Sequence, residues 1–326
     1  MQRTTPRLST LARDLGLTCY DVGARGGIVP EVADAKELFH AVGFEPDESE
    51  CNRLNESKDS QFHSLKFIPE ALGPETATRT LFHTRHPGSS TLLAPDPAIG
   101  ERFGRPEYFD VVDRSEVSVS PLDHVCTQYE LQLPHYLKVD VEGGELDVLR
   151  GATATLQQSV IAVRLEVCFF PMRENHPLAW DLMSYLQGFA FSPVELIKQV
   201  SWRSESRLPF PAADKGEFPM SKGVLAHGDV LFFKNESWFL SLPTESRSNL
   251  GLTAVILSSV LGHIDYAMRL IRLLNLEEFC RVQHGIDICE ELKELSRQMH
   301  TGMITTEPTP GMFSRLKNKF GSRDST

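Results

Sequence analysis

The sequence predicts an α/β protein built on a doubly wound, mostly parallel sheet. Three observations carry that expectation. Apolar and β-branched runs of strand length alternate with helical patterns through residues 17–202. The first run closes on a glycine-rich turn, Asp21-Val-Gly-Ala-Arg-Gly-Gly27, of the kind that joins a strand to a helix. Acidic residues (Glu45, Glu70, Asp140, Glu166) then stand at the ends of later runs, the edge where ligands collect in such sheets.

Each element has its own signal. Leu8, Leu11, Ala12 and Leu15 recur at helical spacing behind Thr4-Thr5-Pro6, and Gly16 closes that run, so residues 1–16 read as an N-terminal helix. Residues 17–22 are the first strand, and 31–39 read as a helix. Residues 41–44 form the second strand, ending at Glu45, and Pro46 opens a helix over 47–57. Residues 62–72 alternate as a third strand. Residues 73–114 are rich in Gly, Pro, Ser and Thr and read as an insert of hairpins and ordered loop. Within it, His86-Pro-Gly-Ser-Ser-Thr91 would suit a polar acceptor, or be an ordinary surface loop. Strands follow at 116–120, 136–141 and 160–169, separated by helices opening at Pro121-Leu122-Asp123 and spanning 145–156. A helix over 178–186 and strands at 191–202 and 229–233 complete a domain of residues 17–240, with an antiparallel last edge.

Beyond residue 248 the pattern turns helical. Leu250, Ala254, Leu257, Leu261, Ile264, Met268, Ile271 and Leu274 follow one helical path, and 290–299 continues as a polar helix. Residues 248–302 are therefore an appendage of about two helices, a candidate homodimer surface. Residues 303–326 read as a disordered linker and basic tail. In that tail Phe313, Leu316 and Phe320 share a helical face, which predicts weak contact with an anionic membrane surface.

Composition excludes several classes. Hydrophobic content of 41% and charged content of 24% are those of an ordinary globular chain. The balance of 33 basic to 44 acidic residues, formally −11, argues against nucleic acid as a partner. Six scattered cysteines with no C-x-x-C pair fit a reducing compartment. The first residues lack the apolar core of a secretory signal, and the apolar stretch 250–262 is too short to span a bilayer. The expectation is a cytoplasmic protein, peripheral to the membrane at most.

Three clusters carry chemistry. The glycines at 23, 26 and 27 do not make the G-x-G-x-x-G of a dinucleotide site, which disfavours a nicotinamide dehydrogenase. Asp21, two residues before the first glycine, suits a ligand with a cationic amino group and a sulfonium centre; the alternative is a tight turn with no ligand. Glu45, ending the second strand, can accept both hydroxyl protons of a ribose. Asp140 and Glu142 share one side of a regular strand and would point at the reacting end, or else only cap the next helix. Glu166 faces the same crevice, unless it pairs with Arg164 or a lysine. No H-x-x-x-H spacing supports a dedicated metal centre; a loosely held magnesium ion at the carboxylates is the remaining metal reading.

Six segments, DVGARGG, FEP, PLDHV, LKVDVEGGELDVLRGA, VRLEV and GDVLFFK, resemble the FkbM family of S-adenosylmethionine-dependent methyltransferases across residues 17–235. The resemblance implies a Rossmann-like class I methyltransferase fold. It implies Asp21, Gly23 and Gly27 at the methionine end of S-adenosylmethionine, Ala24 and Arg25 among the cofactor-binding residues, and Glu45 on its ribose. The backbone of Ala71 and Leu72 would lie along the adenine, with Asp140 at the reacting end. Arg25 stands where the family usually has Asn. The acceptor implied is a hydroxyl on a glycan, polysaccharide or glycoside-like metabolite. Methylating it calls for a base, for which Asp140, Glu142 and Glu166 are the candidates, ahead of His124 and His176. The competing reading is a catalytically silent cofactor-binding module acting through its helices.

Overall fold

A computed structural model describes residues 4–28, 32, 35–57, 61–204 and 223–305. The predicted basic tail and most of the linker lie outside the described residues, as does much of the predicted 31–39 helix, of which a 3-10 turn at Lys36–Leu38 is described.

The central sheet has seven strands in the order β3-β2-β1-β7-β8-β10-β9. Its parallel strands are β1 (Thr18–Val22), β2 (His40–Phe44), β3 (Ser64–Ile68), β7 (Tyr136–Val139) and β8 (Ala162–Cys168). The central ones are apolar almost throughout because both faces are covered. β10 (Val224–Lys234) then runs antiparallel to β8, and β9 (Phe191–Trp202) forms the edge. Strand order reverses between β1 and β7, so the ligand crevice of a doubly wound sheet opens at their C-terminal ends.

Alternation divides the sheet residues between two cores. On one face Tyr20, Val22, Leu137, Val139, Val163 and Leu165 pack against helices that include Leu122–Gln128, Thr153–Gln158 and Ala179–Gln187. On the other, Cys19, Ala41, Tyr136, Ala162 and Phe233 share one cluster with Leu8 and Leu11 of the N-terminal helix (Pro6–Asp14) and with Leu252, Val255 and Ile256 of a C-terminal helix (Thr244–Val260). That helix is buried from Gly251 to Val260, with the hydroxyls of Thr253, Ser258 and Ser259 donating to backbone carbonyls one turn back. Four C-terminal helices follow one another here (Thr244–Val260, Ile264–Leu273, Leu276–His284, Ile288–Thr305) where the sequence pattern reads as about two. The apolar path crosses the corner at Gly262 (φ +93°) without a break in spacing and ends at Leu274, where Asn275 (φ +53°) turns the chain into the next helix.

Two further elements differ from expectation. The predicted 62–72 strand is cut at Pro69-Glu70, and its last residues, β4 (Ala71–Leu72), join a separate three-stranded sheet. That sheet is built from the insert: β5 (Ala77–Thr84) pairs antiparallel with β6 (Val111–Ser120), which pairs parallel with β4. The predicted 145–156 helix is two, Glu145–Arg150 and Thr153–Gln158. They break at Gly151, where a Cβ would lie 2.0 Å from the carbonyl oxygen of Gly73. Among the described residues no helix is long and apolar enough to cross a membrane.

Candidate active site

A cleft opens at the C-terminal ends of β1, β2 and β7. The three-stranded sheet forms its far wall through Leu81, Val117 and Val119, and Ala71 and Leu72 lie at the junction. The loop through Pro87, Ser90 and Thr91 also reaches the cleft, and Thr91 donates to the Glu142 carbonyl at 2.7 Å. A loop given as either acceptor-binding or plain surface thus sits at the site's mouth.

Gly23 makes the floor possible. Its φ is +80°, and a Cβ would stand 1.9 Å from the Asp140 carbonyl oxygen, so the ends of β1 and β7 approach only with glycine there. Gly27 has φ +115° but open space beside it. Gly23, Arg25, Glu45, Ala71, Leu72, Asp140 and Glu142 all line the cleft; Asp21, Ala24, Gly27 and Glu166 do not.

Asp21 is buried and its charge is already matched. Its register partner Lys138 places Nζ 2.9 Å from the carboxylate, donates to the Gly23 carbonyl at 3.2 Å, and lies 3.6 Å from Asp140. Lys138 lies in the LKVDVEGG segment, but its pairing with Asp21 comes from the β1–β7 register. Asp140 is the exposed member of this trio, its side chain 40% accessible.

Glu45 is buried and faces the cleft. One carboxylate oxygen accepts from the Asp47 amide at 2.9 Å, and Arg25 stands 3.9 Å away. Burial raises its pKa, opposed by that amide and by Arg25. Arg25 also reaches Asp47 at 3.4 Å, so the residue that departs from the family pattern braces the acidic rim. Asp47 in turn caps the helix Glu48–Glu56, accepting from Ser49 and Glu50 amides.

The strand alternation expected to align Asp140 with Glu142 stops at Val139. Glu142 sits in a turn at φ +61° and pairs with the buried Arg173, neither aligned with Asp140 nor capping the next helix. Glu145 folds back, accepting from the amides of Val141 and Gly143 at 2.9 and 3.1 Å, and burial pushes its pKa up to about 7. Glu166 does not pair with Arg164, which binds Asp229; its partner is His227 at 2.7 Å. His176 is buried, its Nδ1 accepting from the Met172 amide at 3.1 Å, and burial lowers its pKa to about 4. His124 is exposed on its helix, outside the cleft.

The carboxylates of Asp140, Glu145 and Glu166 come within 4.8 Å of one another. Magnesium takes a near-octahedral shell of oxygens and water, and the set fits it poorly. Glu145 is already engaged by two backbone amides and Glu166 by His227, which leaves Asp140 as the one carboxylate of the three that lines the cleft.

A family model described as the methyltransferase FkbM domain matches residues 21–193, just over half of the chain. No curated protein matches. Among solved structures, a methyltransferase FkbM from Methylobacillus flagellatus KT is similar at 14% identity and a TM-score of 0.36. The match covers 67% of this chain and 44% of that one, so the chain spans less than half of that protein's length.

Proposed function

The chain belongs to the FkbM methyltransferase family, and on that premise we propose that it transfers a methyl group from S-adenosylmethionine to a hydroxyl of a glycan- or glycoside-like acceptor. The observation that carries this reading is Glu45. A buried carboxylate at the end of β2, aimed into a cleft walled by Ala71 and Leu72, has the chemistry to accept two ribose hydroxyls while the adenine lies on the apolar wall. Gly23 lets the ends of β1 and β7 close against each other and lines the cleft where the ligand's amino-acid end would lie.

When bound, the cofactor supplies an electrophilic methyl group on a positively charged sulfur. The exposed carboxylate of Asp140 favours that charge in the cleft, while Lys138 and Asp21 hold the floor without presenting a net charge. The loop from Pro87 to Thr91 and the polar side chains of Arg79 and His83 suit a hydroxylated acceptor. The protein's main contribution is alignment of acceptor oxygen and methyl carbon with water excluded.

Calorimetry with S-adenosylmethionine tests the reading. Wild type should bind, and Glu45→Ala should bind about 10- to 100-fold more weakly, the equivalent of hydrogen bonds to a charged group. No binding by wild type would sink the proposal. Labelled methyl groups presented with a panel of methyl glycosides then search for the acceptor class.

A further inference from the structure

Beside the cleft, behind Asp140 and outside the residues that line it, lies an acid–base pair that cofactor binding leaves unused. His227 lies near the start of β10, in register with Cys168 at the end of β8. Because β10 runs antiparallel, its opening residues arrive at the C-terminal edge of the parallel strands, beside the cleft. His227 Nδ1 is 2.7 Å from Glu166 Oε1, and the two side chains are only 18% and 13% exposed. Among the described residues no partner engages Nε2. Glu166 itself stands within 4.8 Å of Asp140, which lines the cleft, and Trp202 bounds the imidazole edge-on at 5.7 Å.

We propose that His227 Nε2 is the general base that takes the acceptor's hydroxyl proton, and that Glu166 is its positioning residue. This rests on the methyltransferase reading above. An ionised Glu166 accepts from Nδ1–H, which leaves the lone pair on Nε2, just as a carboxylate selects the tautomer of a catalytic or metal-bound histidine. As the acceptor oxygen bonds the methyl carbon, its proton passes to Nε2, and the electron pair of the breaking C–S bond stays on the donor's sulfur. The imidazolium is offset by Glu166 and later gives its proton to water.

The surrounding charges set when the pair is ready. Burial pushes the Glu166 carboxyl well above its ordinary range, as do the carboxylates of Asp140, Glu142 and Glu145, with Arg173 opposing. Around His227, burial, Lys198 and Arg105 favour the neutral ring against Asp229 and Asp140. A positive sulfur in the cleft favours the ionised carboxylate. Loading the methyl donor therefore readies the base, and transfer rises with pH as the pair loses its proton.

The test uses the full chain loaded with S-adenosylmethionine, its histidines labelled with 15N. His227→Asn keeps an N–H beside Glu166 and removes Nε2, and Glu166→Gln keeps an acceptor without charge. His227→Asn should bind S-adenosylmethionine as wild type does and lose methyl transfer to glycosides by about 100-fold or more. Glu166→Gln should lower kcat with little change in KM and shift the rising limb of the pH profile. The His227 resonance, assigned by its loss in His227→Asn, should report Nδ1 protonated and Nε2 free in the loaded protein. A proton on Nε2, or transfer by His227→Asn within about threefold of wild type, overturns the assignment and leaves the methyl-donor reading standing. Failure of wild type to bind S-adenosylmethionine overturns both.

Discussion

At the scale of single residues, the buried ion pair under the cleft explains why Asp21 is acidic without requiring it to touch a ligand. Lys138 is buried beside it, so Asp21→Ala removes its closest counter-charge, leaves only Asp140 at 3.6 Å, and should lower stability by about 1–3 kcal/mol. The double variant Asp21→Ala/Lys138→Met should recover most of that loss in urea denaturation; a double variant as unstable as the single would refute the pairing. Glu145 makes a pH prediction. Burial raises it from an ordinary 4.5 to about 7, so between those values the folded protein keeps a proton that the unfolded chain has lost. Its contribution is full below about pH 4.5 and disappears as pH rises to about 7. His135 and His176, lowered by burial to about 4, act in the opposite sense, losing their contribution as pH falls. The difference between wild type and Glu145→Gln isolates the first effect: the variant's stability should fall less across that window.

At the scale of elements, the cleft depends on how the small sheet is hinged to the large one. Pro69 has no amide to donate, and the chain leaves the central sheet there to place Ala71 and Leu72 in the cleft wall. Gly73, directly after, is held against Gly151 at the corner between two short helices. Gly151→Ala would drive a Cβ to 2.0 Å from the Gly73 carbonyl oxygen, at an ordinary φ, so its effect is one of space alone. It should destabilise by about 1–3 kcal/mol and weaken S-adenosylmethionine binding, read by thermal melts and calorimetry. Gly27→Ala meets no atom within 4 Å and carries only the strain of its φ. If Gly151→Ala melted and bound as wild type does, the hinge would not govern the wall.

At the scale of the whole molecule, one core joins the N-terminal helix, one face of the sheet and the C-terminal helices. Leu252 lies fully buried within it. Leu252→Ala should therefore cost about 2–5 kcal/mol and shift one cooperative transition, followed equally by near- and far-ultraviolet circular dichroism. Two separated transitions, with only the helical one shifted, would mean that residues beyond the sheet fold as an independent unit.

Much of this was legible in the linear chain because it depends on local periodicity. Strands flanking a glycine turn and acids at strand ends follow from alternation and backbone sterics, so the doubly wound sheet, Gly23, Glu45 and Asp140 could be read directly. Register and chain reversal could not. Lys138 meets Asp21 only through the pairing of β1 with β7, and Glu166 meets His227 only because an antiparallel strand returns to the ligand edge. The strand reading that began at Asp229 stopped two residues short of His227; the alternation in AHGDVLFFK, joined to the expected antiparallel edge, was the available signal. The same limit hid the split at Gly151 and the helical corner at Gly262, where the apolar spacing continues from Leu261 to Ile264 while the backbone turns. The sequence by itself determined which faces are apolar and which strand ends carry acids, since both are properties of neighbours along the chain. Only the tertiary structure decided which of those acids are paired, buried or open to a ligand, since that depends on what distant strands bring beside them.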